Sequence, residues 1–325
     1  MDRVIGRYSQ NTDGPLLVAI GAMHGNEPAG VEAIHTVIEL LEREKKIKPH
    51  FEFRGTLLGL IGNLEAFSQK LRFIDKDLNR SWSFDTYQII KDMPASQLSS
   101  EQIEMLSIIR ALRVEIENHQ PKEIIVLDLH TTSAHGGIFS ITSEDPMSIR
   151  MAIELHAPVI RGMLDNISGS SIHFFDGKNM GIPTTAIAFE CGQHEDPESV
   201  YRGVAAIINC MRTIGCVNAH DVENKHDEIL INFSQNLPKV NRLIGKYSIQ
   251  HSGQFEMLPG FKSFDKVSAH QLLAYDGGVE VRCPQDAMIL MPFYQKMGED
   301  GFFLIVEEAL SPLAGEMTNF VSIKK

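Results

Sequence analysis

Near-continuous apolar runs, each followed closely by a polar residue suited to chemistry, most restrict what this chain can fold into. Leu16 to Ile20 leads through Gly21 to His24, Thr56 to Ile61 delivers Asn63, Ile124 to Leu129 delivers His130, and Ile182 to Phe189 delivers Glu190. Runs this short, with little polar alternation, read as strands covered on both faces, the pattern of a parallel sheet. Segments of helical period separate them. Val31, Ile34, Val37, Ile38 and Leu41 fall on one face of a helix from Val31 to Lys45. Ser99 and Gln102 have the spacing of a capping box, and Met105, Ile109, Leu112 and Ile116 continue a helix that Pro121 ends. Further helices are expected from Asp145-Pro146 to Leu155 and from Glu198 to Ile214, with a short opening strand over Val4 to Tyr8. This alternation predicts an α/β fold: a mostly parallel or mixed sheet flanked by helices. Ligands of such sheets gather beyond the carboxyl ends of the strands, so His130 stands where chemistry is expected.

The pattern changes near Cys216. Asn218 to Glu228 is polar and reads as a linker. Beyond it, short strand-like runs are punctuated by turns such as Leu258-Pro259-Gly260 and Tyr275-Asp276-Gly277-Gly278, so Ile229 to Lys325 is expected to form a small all-β domain. The division is therefore an α/β domain over residues 1–220 and a β domain over 221–325, which suits a chain of 325 residues. A net charge of −12 argues against a nucleic-acid partner, which needs a basic footprint. The apolar runs are far shorter than a membrane span, and Met1-Asp2-Arg3 does not open a secretory signal. Cys191, Cys210, Cys216 and Cys283 form no CxxC pair, and reduced thiols in the cytoplasm are the simplest account of them.

The chemistry begins in GAMHGNEPAG, residues 21–30. His24 and Glu27 sit between a strand and a helix that Pro28 suits as a first turn. An imidazole nitrogen and a carboxylate oxygen, joined by one more His, make the three-ligand set of an open catalytic zinc site. The same two residues also suit a loop histidine and an early-helix carboxylate favoured by the dipole. The stretch from Asn63 to Trp82 reads as a loop and carries Arg72, Asp75, Asp77, Asn79 and Arg80. Arginines flanking an Asn suit an acid-binding pocket, because guanidinium matches a carboxylate in bidentate geometry, but a solvated surface has the same composition. Strand alternation puts Asp128 on the same side as His130, and Cys191 on the side opposite Glu190.

Four elements in order, HGNE at 24–27, RFIDKDLNR at 72–80, DLHTT at 128–132 and FECG at 189–192, resemble the succinylglutamate desuccinylase/aspartoacylase family of zinc carboxypeptidase-like enzymes. The resemblance covers the α/β part and implies one Zn2+ per chain held by His24, Glu27 and His130. It implies Glu190 as general base, Arg72 as the group polarising the scissile carbonyl, and Asn79 with Arg80 as the grip on the α-carboxylate of the amino acid. Asp77 is implied as the carboxylate orienting His24, and the late β domain matches one that in some members narrows the channel. The expected activity is a zinc-dependent amidohydrolase cleaving a small N-acyl amino acid. Rival readings are a zinc carboxypeptidase on short peptides and a non-catalytic zinc- or ligand-binding relative. Self-association into a homo-oligomer is compatible with the sequence.

The sequence also departs from that pattern. Aspartoacylase-like members carry an extra Arg and Tyr shortly before the catalytic Glu, for a second substrate carboxylate. HFFDGKNMGIPTTAIAFE, at 173–190, holds neither. N-acetylaspartate is therefore not implied, and succinylglutamate stays open. Lys178 stands in as a candidate point charge for substrate binding, against the alternative of a solvated loop lysine. Tyr294 is the candidate for a C-terminal tyrosine found in some members. His135, His173 and His194 fit no ligand spacing and are read as structural or surface residues.

Overall fold

The computed structural model describes residues 1–222 and 225–309. Its strands, in chain order, are β1 (Val4–Ser9), β2 (Leu16–Gly21), β3 (Thr56–Ile61), β4 (Ile124–Thr132), β5 (Phe139–Thr142), β6 (Val159–Arg161) and β7 (Thr184–Gln193). They continue as β8 (Val240–Ser248), β9 (Phe255–Met257), β10 (Lys266–Val267), β11 (Leu272–Asp276), β12 (Val279–Arg282), β13 (Ala287–Leu290) and β14 (Asp300–Glu307). The large sheet runs β1-β3-β2-β4-β7-β5-β6-β8-β14-β13-β10, and β12-β11-β9 form a small one. From β3 through β2 and β4 to β7 the pairing is parallel, so these strands end on the same side.

The apolar runs have the two-sided burial their composition demands. Leu17 and Ala19 of β2 pack with Ala33, Ile34 and Val37 of the helix Ala29–Ile47 and with the helix Glu198–Thr213. Leu16, Val18 and Ile20 face the other way, against Met105, Ile108 and Leu112 of the helix Ser100–His119. That helix starts at a complete capping box, with Ser99 and Gln102 each bonding the other's backbone. The α/β architecture expected from the alternation is the observed one.

One local expectation gives way. Part of the expected linker, together with the start of the expected β segment, forms a helix, Lys225–Ser234. Its apolar residues Ile229, Leu230, Ile231 and Phe233 are bunched at one end, a run that also suits a strand, and only Leu230 is buried. β8 pairs in parallel with β6, from Val159↔Val240 to Arg161↔Arg242, and carries β14, β13 and β10 onto the edge of the large sheet. A second apolar cluster, including Leu273, Ile289 and Phe302, lies under the small antiparallel sheet. Residues 310–325 of the expected β segment lie outside the described residues.

Candidate active site

The carboxyl ends of β2, β4 and β7 present the site. His130 and Glu190 are register partners on adjacent parallel strands, so both side chains emerge on one face. After β2, Ala22 takes a left-handed conformation (φ 55) that turns the chain toward His24, and the next helix begins after Pro28. Glycine permits the close packing here. A Cβ on Gly25 would lie 2.2 Å from the backbone of Ala66, and one on Gly30 would lie 2.9 Å from Leu129.

The Arg/Asp-rich stretch is not the plain loop expected. Asn63 caps a short helix, Leu64–Gln69, by accepting from Ala66 N, and Asp77 caps a 3-10 turn, Leu78–Arg80, by accepting from Asn79 N. Between them the chain is held by one buried carboxylate, Glu101, in the first turn of the helix Ser100–His119. Its oxygens accept from the backbone N–H groups of Ile74, Asp75 and Lys76 at 2.8, 3.1 and 3.2 Å and from Asn63 Nδ2 at 3.1 Å. Gly25 N donates to Arg72 O at 3.1 Å, joining this stretch to the His24 turn.

His24, Glu27 and His130 converge. One donor atom from each lies within 4.8 Å of the others, and all three residues are buried. Nδ1 of His24 is 2.8 Å from Glu27 Oε1, and Nδ1 of His130 is 3.0 Å from Glu27 Oε2. The far nitrogen of each ring meets a different carboxylate: His24 Nε2 lies 3.2 Å from Asp77 Oδ1, and His130 Nε2 lies 3.2 Å from Asp128 Oδ2. The carboxylate at His130 Nε2 favours the tautomer that donates there and leaves Nδ1 for a cation, whereas His24 Nε2 also meets the Arg72 Nη2 donor at 2.9 Å. Two imidazoles and a carboxylate so arranged fit a divalent metal such as zinc.

The charges are strongly coupled. Burial works to raise Glu27, yet the facing imidazoles hold it well below the usual carboxylate range. Burial likewise opposes the ionised form of Asp77, but His24 and Arg72 keep it low. His130 is held well above the ordinary imidazole value, because Asp128 and Glu27 outweigh its burial. Glu190 behaves oppositely: burial, only partly offset by the His130 charge, pushes its carboxyl up to about 7. Its Oε2 is buried without a hydrogen-bond partner, as is Arg72 Nε. Arg72 is otherwise engaged through Nη2, 3.1 Å from Asp77 Oδ2, and through Nη1, 3.6 Å from Glu27 Oε1.

Arg72, Arg80 and Glu190 line one pocket with His24 and Glu27. Asn79 is committed elsewhere: its Oδ1 accepts from Ser171 N at 2.9 Å, and its Nδ2 lies 3.5 Å from His130 Nε2. Lys178 is exposed on the short helix Gly177–Met180 and is not among the pocket's lining residues. The Tyr294 hydroxyl is tied to backbone, donating to Leu258 O at 2.7 Å and accepting from Phe261 N at 3.0 Å. Cys191 is buried, and burial pushes its thiol up, away from a reactive thiolate. His194 packs at the rim, with Nδ1 2.7 Å from Thr131 Oγ1.

The sequence model of the succinylglutamate desuccinylase/aspartoacylase catalytic domain matches residues 13–201, a span that contains all of these N-terminal groups. The chain belongs to that family. A probable aspartoacylase from a Nostoc species is 32% identical over 138 residues, 42% of each protein. The Xenopus tropicalis N-acyl-aromatic-L-amino acid amidohydrolase (carboxylate-forming) is 27% identical over 211 residues, 60% of each. The chain thus spans between about two fifths and three fifths of these curated relatives. Among solved structures, the succinylglutamate desuccinylase of Vibrio parahaemolyticus superposes with a TM-score of 0.61 at 16% identity, covering 92% of this chain and 83% of that one. The ectoine utilization protein EutE (DoeB) of Ruegeria pomeroyi gives 0.61 at 17%, covering 91% and 85%. At these identities the structural likeness speaks for the fold.

Three groups at or near the site are weakly marked in the sequence. Asp128 was set on the face of His130 but given no task, and it is the nearest carboxylate to His130 Nε2. Glu101, in the first turn of its helix, has no sequence feature that marks it out. Asp300 lies far along the chain from Arg80, which it meets in the structure. Alternation could have found the first; the others depend on contacts between distant segments, which no local pattern carries.

Proposed function

We propose that this protein is a zinc-dependent amidohydrolase that splits an N-acyl amino acid into a carboxylate and a free amino acid. Family membership supports deacylation. The observation that carries the mechanism is a pair of buried, unpartnered atoms on one pocket beside the His-Glu-His trio: Glu190 Oε2, a proton acceptor, and Arg72 Nε, a donor. His24, Glu27 and His130 would hold one Zn2+, which when bound supplies Lewis acidity and lowers the pKa of water to about 7.

The chain's own residues do the rest. Glu190 takes the proton of the attacking water and hands it to the leaving nitrogen, a role for which a pKa near the working pH is suited. Arg72 donates to the oxygen on which charge develops as the amide carbonyl is attacked. Asp77 and Asp128 keep the two imidazoles oriented. Arg80 receives the substrate carboxylate. Asn79 acts one step back in this reading, holding the turn that presents Arg80 through its bond from Ser171 N. The reading assigns the reaction to residues 1–220 and a wall of the substrate channel to residues 221–325. Met291, Phe293 and Phe303 of the latter line the same pocket as Glu190. Four buried free cysteines support a reducing, cytoplasmic setting, and no helix among the described residues is long and apolar enough to cross a membrane.

The test is amine release by zinc-loaded protein from a panel of N-acetyl, N-succinyl and N-formyl amino acids, with dipeptides alongside and a His130→Ala variant as control. Turnover of an acyl class that the variant loses is expected. Cleavage of dipeptides alone would overturn the deacylase assignment in favour of a carboxypeptidase.

A further inference from the structure

One wall of the pocket comes from β14 and the segment before it, and it carries a carboxylate, Asp300, that has no part in the proposed reaction. Asp300 Oδ2 accepts from Arg80 Nη2 at 2.8 Å, while Asp300 Oδ1 lies 3.2 Å from Lys246 Nζ on β8. The Asp300 side chain is only 9% exposed. Its direction follows from a local irregularity. The register between β14 and β8 shifts between Asp300 and Phe302, and such a bulge changes the phase of the strand. Asp300 and Phe303, three positions apart, therefore both line the pocket.

Arg80 is fixed from behind as well. Its Nη1 donates to Asn79 O at 2.9 Å, and Gly169, at φ +75, lies so close that a Cβ there would sit 2.3 Å from Arg80 O. The other guanidinium N–H groups meet no acceptor among the described residues, so they remain available to a ligand. Both oxygens of Asp300 are engaged by cations, one from the loop and one from the β8 edge. The carboxylate is thus held whether or not Arg80 has a ligand. Arg80, Asp300 and Lys246 together carry a single positive charge.

We propose that Asp300, steadied by Lys246, is a positioning and specificity-determining residue that sets the Arg80 guanidinium to receive one substrate carboxylate. The inference rests on the N-acyl amino acid reading of the pocket. It gives the C-terminal strands a part in substrate recognition. A second carboxylate on the same wall would meet Asp300 and the neighbouring Glu299, which also lines the pocket.

The experiment uses zinc-loaded full-length protein with N-acetyl-L-phenylalanine and its α-carboxamide as probes. Affinities for both are measured by calorimetry in a Glu190→Gln background, with and without Asp300→Asn or Lys246→Met. Turnover is followed in the same substitutions with Glu190 intact. Asp300→Asn should weaken binding of the carboxylate about tenfold, the scale of one charge-assisted hydrogen bond, and leave the carboxamide unchanged. KM should rise by a similar factor with kcat within about twofold, and Asp300→Glu should recover part of the loss. Tighter carboxylate binding in Asp300→Asn would mean that Asp300 competes with the ligand, which overturns the proposal. An equal loss for both probes would reduce Asp300 to structural support and also overturn it. Carboxylate-selective binding without turnover of any N-acyl amino acid would break the functional reading alone, whereas turnover with binding indifferent to Asp300 would break this inference alone. Absence of both would remove both.

Discussion

Two sets of polar side chains meet at the site, and they are held there by different means. His130 and Glu190 rise from neighbouring strands of the parallel ladder, whose pairing continues on both sides. Their positions follow from the sheet itself, and a substitution at either alters the chemistry at that point without loosening the frame. Arg72, Asp77 and Arg80 come from a stretch with little regular structure, held by side chain to backbone hydrogen bonds. The strand set is positioned by many shared bonds and the loop set by a few individual ones. A remote substitution should therefore disturb the loop set far more than the strand set.

The largest expected effect falls within the strand set. Glu190→Gln keeps the shape of the side chain and removes its proton acceptor, so turnover should drop by about 10²- to 10⁴-fold. Metal content, read by atomic absorption, should stay at the wild-type level. A variant that keeps full activity would take Glu190 out of the mechanism. Next come the carboxylates behind the rings. Asp128→Asn and Asp77→Asn should each weaken zinc binding by about 10- to 100-fold in a competition titration with a chelator. Unchanged affinity in both would mean that the imidazoles are oriented by packing alone.

Glu101→Gln tests the contrast most directly, because Glu101 contacts neither substrate nor the trio. The amide still accepts a hydrogen bond at one atom but loses the charge that satisfies three backbone donors, so kcat should fall by about tenfold. The loss should vanish in an Arg72→Met background, since the clamp acts by placing Arg72, and coupled residues give non-additive cycles. Additive losses would show that Glu101 serves the fold generally. The comparison also yields a pH effect in metal-free protein. Glu190 has its folded pKa raised to about 7, so the folded state keeps a proton that the unfolded chain releases at ordinary carboxylate values. Its contribution to stability is present below the unfolded pKa and is lost as pH rises through about 7. Parent protein should therefore lose more stability than Glu190→Gln between about pH 5 and pH 8 in denaturant titrations. Equal losses would place the folded pKa of Glu190 in the ordinary carboxylate range.

How much of this was legible in the sequence follows the same contrast. β2, β3, β4 and β7 could be read because burial on both faces writes itself into runs of Leu, Ile and Val, and the residues at their ends came with them. The helix Leu64–Gln69 was hidden because its six residues are set by an Asn63 cap rather than by an apolar stripe. The helix Lys225–Ser234 was hidden because its apolar residues bunch over Ile229 to Phe233 after a polar start, a run that also suits a strand. That the C-terminal strands extend the large sheet depends on β6 pairing with β8 across a long sequence separation, and local alternation is silent on which strand a given one will join. Arg80 could be put forward from the sequence as a candidate anion binder; the carboxylate that holds it could not, because Asp300 is 220 positions away.

The smallest expected effect concerns Lys178, and its value lies in being small. The sequence offered this lysine as a replacement for the Arg that binds a second substrate carboxylate in aspartoacylase-like members. It stands exposed on the helix Gly177–Met180, away from the residues that line the pocket. A flexible, hydrated ammonium in that position carries a screened charge, and such surface charges contribute little. Lys178→Ala should therefore change kcat/KM for any N-acyl amino acid by less than about twofold, dicarboxylates included. A selective loss on N-acetyl-L-aspartate or N-succinyl-L-glutamate would mean that the segment 171–180 closes over bound substrate and brings Lys178 with it. The loop side of the site would then be more mobile than its hydrogen bonds imply, and the contrast between the two sets would widen.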